Sequence, residues 1–251
     1  MLLNYRLYGE GLPVVILHGL FGMLDNWNTH SKLLAETYMV IAVDLRNHGN
    51  SPHSEEFSYE VMIEDLCTLY EHLGLGQAAV IGHSMGGKLA MHFALAHPEK
   101  VERLMVVDIA PRAYPALHTD IFEALMSVDL SKHTSRSSIS EALARIEPSV
   151  RNFLLKNLAR ADSGRFYWKM NLPAIFANYE AINAAVRSDR QYLGKTMFVK
   201  GGRSSYLLDE DLTGILKLFP HTELVTVPRA GHWVHAEAPE EFSRLARSFL
   251  S

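Results

Sequence analysis

Cysteine is almost missing from this chain: Cys67 is the only one among 251 residues. A lone cysteine excludes an intramolecular disulfide framework, and its place in a helical pattern makes it a small core residue rather than a reactive thiol. Strong charge of either sign is also missing. The net charge of −4 gives no bulk attraction to nucleic acid or to an anionic membrane surface. No apolar run approaches the length needed to cross a bilayer, and the opening Met1-Leu2-Leu3-Asn4-Tyr5-Arg6 lacks the charged and apolar regions of a secretion signal. These absences predict a soluble, cytoplasmic protein with no nucleic-acid partner and no stable membrane anchoring. There is no repeat of fixed period and no low-complexity tract. His232 and His235 are three apart, but no third ligand accompanies them, so neither a metal nor a cofactor is expected. No pattern sets an oligomeric state.

What the chain does have is apolar residues, 48% of the total, enough for one large α/β domain or a domain with an insertion. Short continuous apolar runs at Val14-Val15-Ile16-Leu17, Met39 to Val43, Ala78 to Ile81, Leu104 to Val107, Thr196 to Val199 and Glu223 to Val227 read as strands, most of them buried on both faces of a parallel sheet. Helical patterns separate several of them. One follows Ser58, with Met62, Leu66, Leu69 and Leu73 on one face and Gly74 at its end; the last begins at Pro239 and buries Phe242, Leu245 and Phe249.

The third run ends in Gly82-His83-Ser84-Met85-Gly86-Gly87-Lys88, and Leu89, Phe93 and Ala96 then recur at helical spacing up to Pro98. Strand, sharp turn and helix around G-x-S-x-G describe a nucleophile elbow, in which glycines let strand and helix close together and leave the Ser84 hydroxyl exposed. The same residues nearly spell a phosphate loop, G-x-x-x-x-G-K. Leu89 stands where that loop needs a hydroxyl for Mg²⁺, which disfavours it. Lys88 then reads as a surface residue of the elbow helix. A five-residue match also arises by chance, so the other strand ends have to decide.

Three of them agree. The first strand ends in His18-Gly19-Leu20-Phe21-Gly22, a glycine-rich loop of the kind that offers an oxyanion-hole N–H. Asp108 ends the fourth, on the edge where open α/β sheets assemble their sites. His232 follows the last strand on a loop led by Gly231. Ser, Asp and His occur in the order known for α/β hydrolases. Serine is a poor nucleophile, so His232 is expected to take and return its proton, with a buried carboxylate fixing the tautomer. The oxyanion would face the N–H of Met85 and one from Leu20 or Phe21. Asp44 and Arg46, at the end of the second strand, read as a pair that fixes their loop. Between the fourth and fifth of these runs the rhythm breaks. Residues 111–187 carry several short helical patterns, no buried-strand run and a net charge of +3, against −7 for the remainder. They predict an all-helical lid (cap) insertion over a core formed by residues 1–110 and 188–251.

Through HGLFG, DLRNHGNS, GHSMGGK, VVDIAP, GGRSSY and GHWVHAE as they stand here, the chain resembles the YbfF-type esterases of the α/β-hydrolase superfamily over nearly its whole length, more weakly in the lid. The resemblance implies an α/β-hydrolase fold, a mostly parallel sheet flanked by helices, and activity on short-chain esters and acyl-coenzyme A thioesters. Most α/β hydrolases carry the acid in a G-x-x-D loop after the strand at 196–200, but that fourth position here is Ser204. Asp108 then serves as the acid. The resemblance implies the same, with Ser204 as an auxiliary partner; Asp209 is the fallback acid. Phe21 and Trp233 are expected to line the acyl pocket. The competing functions are a carbon–carbon bond hydrolase or lyase on the same scaffold and a non-catalytic ligand-binding protein. Dehalogenase and epoxide hydrolase are disfavoured, since both need an acidic nucleophile at Ser84.

Overall fold

A computed structural model describes all 251 residues. Its centre is a seven-stranded sheet in the order β1-β3-β2-β4-β5-β8-β9. The strands are β1 (Tyr5–Tyr8), β2 (Leu12–Leu17), β3 (Tyr38–Val43), β4 (Ala78–His83), β5 (Val101–Val107), β8 (Lys195–Gly201) and β9 (Thr222–Val227). Only β1 runs antiparallel, paired with β3 at the edge; all other pairs are parallel. β1 is half exposed and rich in polar residues, so it left no apolar run to read.

Strand alternation divides the core into two layers. Val15, Leu17, Val80, Leu104 and Val106 face α2 (Tyr59–Leu73), α3 (Met85–Ala96) and α9 (Leu212–Leu218), whereas Val14, Ile16, Ile81, Met105 and Val107 face α1 (Asn28–Leu34) and α11 (Pro239–Leu250). Both faces are covered, which is why these strands read as continuous apolar runs. Phe242 and Phe249 of α11 are buried against the second layer; each contributes on the order of 2–3 kcal/mol by leaving water. α2 stops at Gly74 in the left-handed conformation, φ 64°, as its sequence predicts.

From β2 the chain moves outward to β3 and then returns to place β4 on the other side of β2. The loops after β2 and β4 therefore leave in opposite directions and open a crevice at the carboxyl edge of the sheet. Between β5 and β8 the chain leaves the sheet altogether, forming α4 (Thr119–Ser127), α5 (Arg136–Ala142), α6 (Pro148–Leu155), α7 (Leu172–Ala177) and α8 (Tyr179–Asn183). It also forms an antiparallel hairpin, β6 (Leu158–Arg160) with β7 (Phe166–Trp168). The expectation of helices alone is corrected here. The hairpin's strands have three residues each, too few to register as periodicity, and its turn rests on Gly164 at φ +82°. A short helix, α10 (Val234–Glu237), follows β9. No helix is long and apolar enough to cross a membrane.

Candidate active site

Ser84 stands between β4 and α3 with φ 53° and ψ −118°, a conformation that costs a non-glycine residue on the order of 1–3 kcal/mol. Its neighbours make the turn possible. A Cβ on Gly82 would lie 2.2 Å from the Gly86 carbonyl oxygen, and one on Gly86 would lie 2.5 Å from that of His18. The Ser84 N–H donates to Val107 O at 3.0 Å, tying the elbow to β5.

Residues far apart in sequence converge on this hydroxyl. His232 Nε2 is 3.0 Å from Ser84 Oγ, and His232 Nδ1 is 2.8 Å from Asp108 Oδ2. Since a carboxylate only accepts, Nδ1 carries the proton and Nε2 is free to accept from Ser84. Asp108 is fully buried and has φ 50°. Its Oδ1 accepts the Gly201 N–H at 2.8 Å, and its Oδ2 also accepts the Ser204 hydroxyl. Ser204 Oγ in turn accepts the Tyr206 N–H at 3.1 Å. Ser204 thus touches the carboxylate and leaves the imidazole to Asp108. Asp209 lies elsewhere: its side chain is 83% exposed and pairs with Lys200 at 2.6 Å.

The HGLFG loop is built on two neutral histidines. Burial lowers His18 to about 4 and His48 to about 3, so each donates from Nδ1 and accepts at Nε2. His18 accepts the Leu45 N–H at 3.0 Å; His48 accepts the Phe21 N–H at 3.3 Å. That contact bears on the alternative between Leu20 and Phe21. The Phe21 amide is engaged, whereas the N–H groups of Leu20 and Met85 have no acceptor within the protein. Phe21, at φ 60°, is held from its other side by Asn157 Nδ2, which donates to its carbonyl at 2.7 Å.

Above Ser84 lies a cavity of about 170 Å³ bordered by Leu20, Phe21, Ile121, Val150, Phe153 and Trp233 together with His232. It continues past Phe153 and Trp233 into an open cleft with Asn152 and Lys156 at its rim. Phe21 and Trp233 both border it.

Three residues here escaped sequence reasoning. Tyr206 stacks on the His232 imidazole, with centroids 3.8 Å apart and planes at 22°. His83 Nε2 donates to the His232 carbonyl at 2.9 Å. His118, from the segment between β5 and β8, reaches Tyr206 OH at 3.3 Å, and burial lowers it to about 4. Tyr206 and His83 lie inside the GGRSSY and GHSMGGK stretches, where adjacency to the candidate residues was a usable signal; His118 carried none. Lys88 requires a further correction. It is not at the surface but 2% exposed, because the end of α8 packs over α3. Asp44 and Arg46 act in structure as expected: Asp44 accepts the N–H groups of Leu24 and Asn50, and Arg46 forks onto Asp65 at 2.6 and 2.8 Å. His235 stacks on Trp27 at 4.2 Å, and nowhere do three His, Cys, Asp or Glu side chains converge as metal ligands would.

Chemically, the arrangement can move a proton between a hydroxyl and an imidazole beside two unpaired backbone donors. Residues 13–239 match the family model described as alpha/beta hydrolase fold. The chain is 40% identical over 248 residues to the sn-1-specific diacylglycerol lipase ABHD11 of Mus musculus, covering 95% of this chain and 80% of that protein. It is 32% identical to Esterase YbfF of Escherichia coli K12, covering 95% and 92%. A solved structure described as a marine microorganism esterase superposes with a TM-score of 0.96 at 41% identity, covering 99% of each chain.

Proposed function

The chain belongs to the alpha/beta hydrolase family, and from that premise we propose that it is a serine esterase acting on small carboxylic esters and acyl thioesters, acyl-coenzyme A among them. The observation that carries this reading is the unbroken hydrogen-bonded chain from Ser84 through His232 to Asp108 at the strained elbow. The names of the relatives, esterase and lipase, support an ester as the bond cleaved.

As Ser84 Oγ attacks the carbonyl carbon, His232 Nε2 takes its proton, and Asp108 holds the ring in the required tautomer and balances the imidazolium. The oxyanion accepts from the Leu20 and Met85 N–H groups; losing one such donor typically costs about 3–4 kcal/mol of barrier. Collapse breaks the bond to the leaving oxygen or sulfur, which takes the proton from His232. Water then repeats the sequence on the acyl-enzyme, releasing the acid and restoring Ser84. Ser204 acts as an auxiliary by holding Asp108 Oδ2. The part of the cavity over Ser84 is little larger than the roughly 150 Å³ that holds a benzene ring, room for a short acyl chain, and a longer chain or the leaving group would run on into the cleft past Phe153 and Trp233. Residues 111–187 act as a lid on the core formed by 1–110 and 188–251. It is fastened where Tyr59 OH and Lys88 Nζ donate to carbonyls at the end of α8.

A fluorophosphonate should label Ser84 stoichiometrically in the native protein and not in Ser84→Ala, and His232→Ala should abolish ester hydrolysis. Kinetics on p-nitrophenyl esters and acyl-coenzyme A of graded length should give the highest kcat/KM at short chains. An unlabelled Ser84 together with no turnover of any ester overturns the reading; labelling without ester turnover shifts it to carbon–carbon bond cleavage.

A further inference from the structure

Phe21 is the left-handed residue of the HGLFG loop, at φ 60°, and it directly follows Leu20, whose N–H faces the oxyanion. The Gly22 N–H closes this turn onto the Gly19 carbonyl at 2.9 Å, so the peptide unit shared by Leu20 and Phe21 lies at its middle. A left-handed backbone is unfavourable for a phenylalanine. Neighbouring groups have to hold it.

Much of the grip comes from the segment inserted between β5 and β8. Asn157, 1% exposed at the root of the β6–β7 hairpin, donates from Nδ2 to the Phe21 carbonyl at 2.7 Å, and the same nitrogen reaches the Leu154 carbonyl in α6 at 3.4 Å. Carbonyls only accept, so the amide nitrogen and not its oxygen must face Phe21. The Phe21 ring is met edge-on by Phe122 of α4 at 4.8 Å and by His118 at 6.0 Å. A second route runs through the loop after β3. The Asn157 carbonyl accepts the Lys169 N–H at 2.9 Å, and two residues on, the N–H and Nδ2 of Asn171 donate to the carbonyl and Oδ1 of Asn47 at 3.0 and 3.2 Å. Asn47, itself at φ 63°, precedes His48, which takes the Phe21 N–H. The insertion thus holds the Phe21 carbonyl directly and its N–H through Asn47 and His48.

We propose that Asn157 is a positioning residue for the oxyanion hole: it keeps Phe21 left-handed and the Leu20 N–H aimed at the oxyanion, so that turnover requires the inserted segment to be docked on the HGLFG loop. The inference rests on the serine-esterase reading. Without the Nδ2 bond Phe21 is free to relax to negative φ, which rotates the peptide unit it shares with Leu20 and tilts the adjoining donor. Acylation and deacylation both pass through an oxyanion, so both slow. The ground-state ester carbonyl depends far less on the hole.

Asn157→Leu removes the donor without shortening the side chain. On p-nitrophenyl butyrate its kcat should fall by about 10- to 100-fold, short of the roughly 10²–10³-fold that follows deletion of an oxyanion donor, with KM within about threefold of native. A trifluoromethyl ketone adds to Ser84 Oγ as a hemiketal oxyanion, and its affinity should weaken by the same factor as kcat/KM. Loosened packing alone would not produce that correspondence. Asn157→Ala, which demands no extra room, gives the same readouts if Asn157→Leu does not fold. Native kcat in a folded variant, or an unchanged ketone affinity beside a lowered kcat, overturns the inference and leaves the esterase standing. Failure of both variants to fold also overturns it, since Asn157 would then hold the fold rather than the hole. If the native protein neither hydrolyses p-nitrophenyl butyrate nor is labelled by a fluorophosphonate, the esterase reading and this inference fall together.

Discussion

Replacing Asp108 with asparagine exchanges one oxygen for an NH₂ group, and the surroundings decide which. Oδ1 accepts the Gly201 N–H at 2.8 Å, so the oxygen of the introduced amide must take that side; an NH₂ there would meet another donor. The amide nitrogen then occupies the Oδ2 position, facing Ser204 Oγ and His232 Nδ1. Ser204 adapts by accepting instead of donating. His232 can keep the contact only by moving its own proton to Nε2, and a protonated Nε2 cannot take the proton of Ser84. The same tautomer error in a serine protease lowers kcat by about 10⁴-fold, about 5 kcal/mol of barrier, and a fall of that order is expected here for Asp108→Asn. Every contact but that of the Ser204 hydroxyl proton keeps a partner, so the thermal midpoint should move by only a few degrees. The assay is kcat/KM on p-nitrophenyl butyrate beside a melting curve of the same preparation. Turnover within tenfold of the native enzyme, at an unchanged midpoint, would refute the assignment of Asp108; Asp209, at the surface on Lys200, offers no replacement.

Further outcomes follow from neighbouring contacts. Ser204→Ala removes one hydrogen bond to Asp108 but leaves the Asp108–His232 bond, so activity should fall by about 10- to 100-fold, the value of a bond to a charged group; full activity would reduce Ser204 to a turn residue. Gly86→Ala sets a Cβ 2.5 Å from the carbonyl oxygens of His18 and Leu17, a clash with backbone that cannot be relieved locally. Loss of soluble, folded protein is expected, and a variant melting within a few degrees of native would contradict the elbow geometry. Acid should unfold the protein early. His18 and His118 lie at about 4 and His48 and His235 at about 3 in the folded state, below the unfolded value of about 6.5. Above that value both states are neutral and nothing is lost. As pH falls below it the unfolded chain binds protons first, and each histidine costs stability by up to about 1.4 kcal/mol per pH unit until its folded value is reached. Urea midpoints should drop steeply between pH 6.5 and 5; flat midpoints over that range would show these histidines to be solvated.

Local chemistry made much of this protein legible from its sequence alone. The central parallel strands were visible because both sheet faces are covered, so Val14 to Leu17 or Leu104 to Val107 had to be apolar throughout. The elbow was visible because its turn tolerates nothing but glycine at 82 and 86, and Ser84, Asp108 and His232 could be singled out as strand-end residues in a recurrent order. Contacts across long chain separations leave no such trace. His232 meets Asp108 from 124 residues away, and Lys88 meets Asn183 from 95. Only the tertiary structure decided that the Phe21 amide is taken by His48, that Tyr206 covers the imidazole, that a short hairpin interrupts the helices, and that Lys88 is buried beside the nucleophile. A strand or a tight turn is encoded by neighbours in sequence; the environment of a side chain is set by whichever distant segment packs on it.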